Sequence, residues 1–107
     1  MPPTTQPPAL TVPPEVQAFA AEQGVAAYLP AVLEMTQRHF PNARRMAVIV
    51  EDDPEIANDR HIVIEVDVAG LTPEQYVEID WEWGRKLFDI VPAPLICVFR
   101  LGLSIVE

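Results

Sequence analysis

The feature that most constrains the fold is an alternating strand followed almost at once by a strongly marked helix start. Residues 61–69 read HIVIEVDVA, and this period-two alternation predicts a strand with one buried face. The T-P-E-Q sequence at 72–75 supplies a threonine N-cap, a proline at the first helical position and a capping box. Helical periodicity then runs to about residue 90, and apolar residues from 95 to about 105 predict a further strand. This order predicts a strand–helix–strand crossover.

Two helices are predicted upstream of this unit. The first begins at Pro14, because proline suits the first helical position, and it ends at Gly24. The second covers residues 26–40 and ends before Pro41. Pro30 is compatible with this helix only in its first turn, where the backbone N–H has no partner to lose.

The start of the chain differs in composition from the rest. Residues 1–14 read MPPTTQPPALTVPP and contain six of the twelve prolines. Such a segment favours an extended, polyproline II-like conformation that joins a core poorly. We therefore expect a Pro-rich disordered leader at 1–14 and, in a chain of 107 residues, a single domain at 15–107.

The strand patterns lead to a fold class. Residues 45–51 read RMAVIVE and are apolar on both faces, which favours a central strand, whereas the strand at 61–69 carries Glu65 and Asp67 on one face, as edge strands do. The sequence thus predicts an α+β fold of order α-α-β-β-α-β with a three-stranded sheet. The first strand would lie between the second and third, and the helices would pack mainly on one face, as in a truncated ferredoxin-like sandwich.

Charge and cysteine content exclude several classes of function. The formal net charge is −9, and an acidic surface repels phosphate backbones and anionic membranes, so we expect neither nucleic-acid nor membrane partners. Cys97 is the only cysteine, which rules out an internal disulfide and a cysteine-rich metal site, and its apolar neighbours predict a core position. The N-terminus lacks the basic residues and apolar run of a signal peptide, and no apolar run reaches membrane-spanning length. We expect a cytoplasmic protein.

Acidic residues cluster in the middle of the chain. Residues 51–82 contain eleven carboxylates and a single arginine, Arg60. Such a concentration of charge predicts a docking surface for a basic protein partner. The candidate partner-binding acids are Asp52, Asp53, Glu55, Asp59, Glu65 and Asp67. The alternative is that these charges keep an exposed strand soluble by preventing sheet-to-sheet aggregation.

A metal-dependent enzyme is the second hypothesis for the same acids. Asp53, Glu65 and Asp67 offer the oxygen ligands that Mg²⁺ and Ca²⁺ prefer, in a small hydrolase, a nuclease-like enzyme or a ligand-binding domain. The spacing does not match an EF-hand, and Asp67 stands where a nuclease would carry lysine. Because no catalytic constellation is recognisable, we predict no catalytic residues, no metal ligands and no cofactor, and we favour a protein that is not an enzyme.

The third helix has a wider apolar arc than a surface helix needs. At 100° per residue, Val77, Trp81 and Phe88 extend beyond the core-facing side. Large aromatic side chains are typical of interfaces, so these three residues are predicted to bind a partner or to form a homodimer. The alternative is that the first two helices cover them.

A resemblance supports a partner-binding role. The D-D-P-E turn at 52–55, the strand ending VDVAGL, the Trp-bearing helix and the terminal strand ICVFRL together resemble short, uncharacterised bacterial α/β proteins, some of them antitoxin-like. The resemblance spans roughly residues 15–107, implies no catalytic residues and raises the expectation of a protein partner. The sequence therefore predicts a non-enzymatic, acidic protein–protein interaction module, antitoxin-like in kind, that binds a basic partner.

Overall fold

The computed structural model describes residues 11–52, 55–56 and 59–106. It confirms the α+β class and the predicted order of helices and strands. The elements are α1 (Pro14–Glu22), α2 (Leu29–His39), β1 (Arg45–Asp52), β2 (Arg60–Ala69), α3 (Pro73–Ile90), a 3₁₀ helix (Ala93–Val98) and β3 (Phe99–Val106). Residues 1–10 of the predicted leader lie outside the described residues; at its end, Val12 packs against the core.

The helix ends follow the predicted local chemistry. Gly24 has φ +73°, the left-handed conformation that glycine adopts without strain, and it ends α1 as expected. Pro30 lies in the first turn of α2, although that helix begins at Leu29, three residues later than predicted, because residues 26–28 form a separate turn. The capping box of α3 is complete, since the Gln75 backbone N–H donates to Thr72 Oγ1 and the Gln75 side chain accepts from the Thr72 backbone N–H.

The sheet order is β1–β2–β3, so the prediction that β1 is the central strand is wrong. β1 pairs antiparallel with β2, and β2 pairs in parallel with β3 through the α3 crossover. β2 is central even though it carries two carboxylates. Arg45 of β1 lies beside both carboxylates, 3.3 Å from Glu65 and 3.4 Å from Asp67. The alternating pattern of β2 alone does not predict this partner, because it lies on another strand.

The helices pack on one face of the sheet, as predicted. Alternate residues of the central strand, Ile62, Ile64, Val66 and Val68, join a single core with buried residues of all three α-helices. By strand alternation the other face, here called the open face, carries the remaining residues of each strand. Its members are Arg45, Ala47, Ile49 and Glu51 of β1, His61, Val63, Glu65, Asp67 and Ala69 of β2, and Arg100, Gly102, Ser104 and Val106 of β3.

The third strand begins later than its apolar residues predict. Residues 93–98 form a 3₁₀ helix, and β3 starts only at Phe99. Pro92 and Pro94 restrict the backbone before the strand and remove two backbone donors, which explains the delay. As a consequence Cys97 lies in the 3₁₀ helix and is exposed, so its predicted core position is wrong.

Candidate functional site

Helix α3 is held rigidly against the rest of the domain by side-chain hydrogen bonds. Trp83 is buried and its Nε1–H donates to Thr36 Oγ1 of α2 at 2.9 Å. Toward the N-terminus of α3, Tyr76 Oη donates to the Leu103 carbonyl of β3 at 3.2 Å. These bonds fix the rotation of α3 about its axis, and so they decide which of its side chains face solvent.

A second polar link joins the C-terminal end of α2 to the middle of α3. His39 Nε2 lies 3.2 Å from the Ile79 carbonyl, and Lys86 Nζ lies 3.1 Å from His39 Nδ1. The carbonyl requires a proton on Nε2, so Nδ1 accepts from the lysine. The single lysine of the chain is therefore part of the scaffold that positions α3.

The face of α3 turned away from the core is apolar and exposed. Val77, Trp81 and Phe88 keep 67%, 69% and 61% of their surface exposed. With Gly84 they follow a 4-3-4 spacing, which places all four on one line along the helix. We call Val77, Trp81, Gly84 and Phe88 the α3 stripe. In the described residues, helices α1 and α2 do not cover it, so the alternative that they bury this flank is excluded there.

Gly84 opens a groove in the middle of the stripe. A shallow cavity of about 250 Å³ lies over it, lined also by Asp80, Trp81, Arg85 and Phe88. A Cβ placed on Gly84 would meet no atom within 4 Å, so the groove floor is backbone facing open space. An aromatic side chain therefore stands directly beside a gap in the same apolar surface.

Charged residues flank the stripe. Glu78 and Arg85 lie on one side of it, 100° and 80° around the helix from Val77, and Asp80 lies on the other side, at −60°. All three are exposed, and among the described residues none of them forms an ion pair within the chain. Their charges remain available to a partner.

Most of the predicted partner-binding acids already have a basic neighbour. Asp52 lies 2.7 Å from Arg60, and Asp59 lies 3.7 Å from Arg100. Glu65 and Asp67 share Arg45, as described above. Glu55 is exposed, and Asp53 lies outside the described residues. The local charge available to a basic partner is thus smaller than the sequence count indicates.

The structure separates the two predicted sets of partner-binding residues. Glu65 and Asp67 lie on the open face of the sheet, whereas the apolar set lies on α3, which packs on the opposite face. Glu65 and Asp67 therefore do not form one binding surface with Val77, Trp81 and Phe88.

The metal-dependent alternative gains no support from geometry. Within residues 11–52, 55–56 and 59–106, no three His, Cys, Asp or Glu side chains converge as metal ligands would. Glu65 and Asp67 contact an arginine, and neither residue lines the α3 groove or a second, larger cavity of about 490 Å³ between α1 and α2.

That larger cavity is a mostly apolar cleft. Val12, Ala20, Leu29 and Leu33 line it, with Glu34 at its rim. Among the described lining residues only Glu34 is charged, and it is paired with Arg38 at 2.6 Å. The described lining therefore presents no pair of groups suited to acid–base chemistry.

The sequence pattern predicts the exposed apolar residues of α3 but not the role of Gly84 between them. The signal was present in the 4-3-4 spacing of Val77, Trp81, Gly84 and Phe88, which is the spacing of an interhelical seam. Glycine has no side chain to contribute to an apolar pattern, so that pattern does not indicate Gly84.

No helix in the described part of the chain is both long and apolar enough to cross a membrane. Comparisons with protein families, with curated proteins and with solved structures find no match for this chain.

Proposed function

We propose that this chain is a non-enzymatic protein–protein interaction module of the cytoplasm, and that its docking surface is the α3 stripe. The observation that carries the proposal is three large apolar side chains, each more than 60% exposed, on one line of a helix whose rotation is fixed by hydrogen bonds. Single exposed apolar residues are ordinary, but a contiguous apolar line around a groove is typical of an interface.

The occupant that fits this surface is a helix with an apolar face. A straight seam with 4-3-4 spacing matches the ridges of a second helix, and a glycine in its centre lets a large side chain approach the backbone. Trp81 and Phe88 would be the anchors of the interface, since aromatic residues dominate binding energies in well-packed contacts. An antitoxin-like role, implied by the resemblance, would be one instance of such a module.

Docking of a basic partner on the acidic residues stays a prediction, secondary to the α3 stripe. Asp52, Asp59, Glu65 and Asp67 each have an arginine within 4 Å, so a basic partner would have to compete with ion pairs already present. Exposed pairs of this kind are worth little, so the competition is feasible but reduces the attraction.

Site-specific photocrosslinking in the native host tests the proposal. A photoreactive phenylalanine analogue is placed at Trp81 or Phe88, and at Glu22, an exposed control position on α1. We expect a discrete protein adduct from the two stripe positions and none from the control. Mass spectrometry then identifies the segment that is bound, which should be helical and carry an apolar face.

Equal labelling from all three positions, or none from the stripe, would show that the α3 stripe is not a docking surface.

A further inference from the structure

We propose that the helix bound by the α3 stripe is the α3 of a second copy of this chain, in an antiparallel two-fold pair centred between Trp81 and Gly84. This inference rests on the proposed function, because it names the partner of the same surface. It is drawn from the shape and charge of α3, because the exposed face of this helix is complementary to the same face of a second α3 that runs in the opposite direction.

Shape complementarity favours the antiparallel arrangement. A two-fold axis between residues 81 and 84 sets Trp81 of each copy against Gly84 of the other, and Val77 against Phe88. Each indole then occupies the groove of about 250 Å³ over the partner glycine. Large residues meet small ones in every layer, which is how close-packed interfaces avoid voids.

A parallel pair would pack the same residues badly. It sets Trp81 against Trp81 and Gly84 against Gly84, so one layer is crowded and the next is empty. Helix dipoles also oppose each other in a parallel pair and are complementary in an antiparallel one.

Charge complementarity agrees with the antiparallel pairing. In an antiparallel helix pair the same flank of both helices meets, so Glu78 of one copy lies beside Arg85 of the other, twice by symmetry. In a parallel pair Arg85 would instead face Asp80. Glu78, Asp80 and Arg85 have no ion-pair partner among the described residues, so each can pair with a second copy. The two arrangements predict different partners for Arg85.

The available area predicts a weak dimer. The exposed parts of Val77, Trp81 and Phe88 amount to roughly 400 Å² per copy, if a large aromatic side chain offers about 150–250 Å². A stable interface takes about 800 Å² from each partner, so the stripe supplies about half of that area. Each copy also carries a net charge of −9, whose repulsion salt screens. We therefore expect a dissociation constant in the micromolar range at physiological ionic strength.

Sedimentation equilibrium of the full chain, from low to high micromolar concentration, measures the dimer. We expect Trp81→Ala to weaken dimerisation by at least about 30-fold, because each copy loses a strong anchor. Gly84→Leu should weaken it as strongly, because the new side chain fills both grooves. A Cβ at position 84 would have no described atom within 4 Å apart from its own stretch of helix, and leucine is a better helix former than glycine. The same variant should therefore unfold at a higher temperature at low concentration. This opposite response separates loss of the dimer from loss of the fold.

A charge exchange identifies the orientation. Glu78→Arg and Arg85→Glu should each weaken the dimer several-fold, although they change the net charge in opposite directions, and the double variant should recover wild-type dimerisation. The control is Asp80→Arg combined with Arg85→Glu, which should not recover it. Recovery in this control alone would mean a parallel pair and would overturn the proposed arrangement.

The outcomes also separate this inference from the proposed function. A wild-type chain that stays monomeric throughout the concentration range overturns self-association. In that case, a heterologous protein crosslinked to the analogue at position 81 but not at position 22 would leave the α3 stripe as a docking surface. A dimer that Gly84→Leu does not weaken would place the contact elsewhere and overturn the inference as well.

Discussion

At the scale of single residues, the two histidines differ in how their ring nitrogens are satisfied. Both nitrogens of His39 have partners, in the Ile79 carbonyl and Lys86. His61 is only 3% exposed, and its Nδ1 has no hydrogen-bond partner among the described residues. Its Nε2 lies 3.9 Å from the Glu51 carboxylate, too far for a hydrogen bond. His61 alternates onto the same face of β2 as Glu65 and Asp67, yet it is buried, and no described polar group satisfies its ring.

Replacing this buried ring by a hydrocarbon should stabilise the protein. We expect His61→Leu to raise the free energy of unfolding by about 1 kcal/mol, because burying an unsatisfied polar group costs about 1–3 kcal/mol and leucine is of similar size. His39→Leu is the matched control and should lower stability, since it removes two hydrogen bonds. Urea denaturation measures both. A loss of stability in His61→Leu equal to that of the control would show that the His61 ring is hydrogen-bonded in solution.

At the scale of elements, Arg45 connects the two strands whose positions the sequence patterns misassigned. Its guanidinium lies 3.3 Å from Glu65 and 3.4 Å from Asp67, whose side chains are 36% and 23% exposed. Carboxylates in a central strand are tolerated here because the helices pack on the other face and an edge-strand arginine neutralises them. The predicted docking acids of β2 therefore also have a role within the sheet.

Removing this arginine should cost more than removing an ordinary surface charge. We expect Arg45→Met to lower the free energy of unfolding by about 1 kcal/mol at low salt and by less at high salt, where the repulsion between Glu65 and Asp67 is screened. Arg38→Met is the control: its pair with Glu34 is on the helix surface, 78% and 60% exposed, and its loss should change stability little. Equal effects of the two substitutions would argue against a structural role of Arg45.

At the scale of the whole molecule, self-association predicts that stability depends on protein concentration. A partner that binds only the folded state stabilises it by mass action, about 1.4 kcal/mol for each tenfold excess over the dissociation constant. For a domain of this size, the midpoint of thermal unfolding should rise by several degrees between low and high micromolar concentration. Gly84→Leu should abolish that dependence while keeping a high midpoint. A wild-type midpoint that is constant across this range would contradict the dimer.

Local sequence determined the elements of this protein. Prolines at helix starts, Gly24 at a helix end and the T-P-E-Q capping box act over three or four residues, so α1 and α3 begin where the sequence predicts and α1 ends as predicted. The apolar line on α3 was equally readable, because helical periodicity is a local property. For the same reason the α+β class and the element order were predictable.

Only the tertiary structure decided which strand is central and what the acidic residues contact. Strand order depends on contacts between distant segments. Arg45 is 20 residues from Glu65 in the chain, so no local pattern shows that this arginine lies beside a carboxylate of the central strand. The rotation of α3 likewise depends on the Trp83–Thr36 and Tyr76–Leu103 hydrogen bonds, and this rotation leaves Val77, Trp81 and Phe88 in solvent with Gly84 as an open gap between them. The pattern of one segment shows which of its residues are apolar. Contacts between distant segments decide which of those residues are buried and which stay exposed.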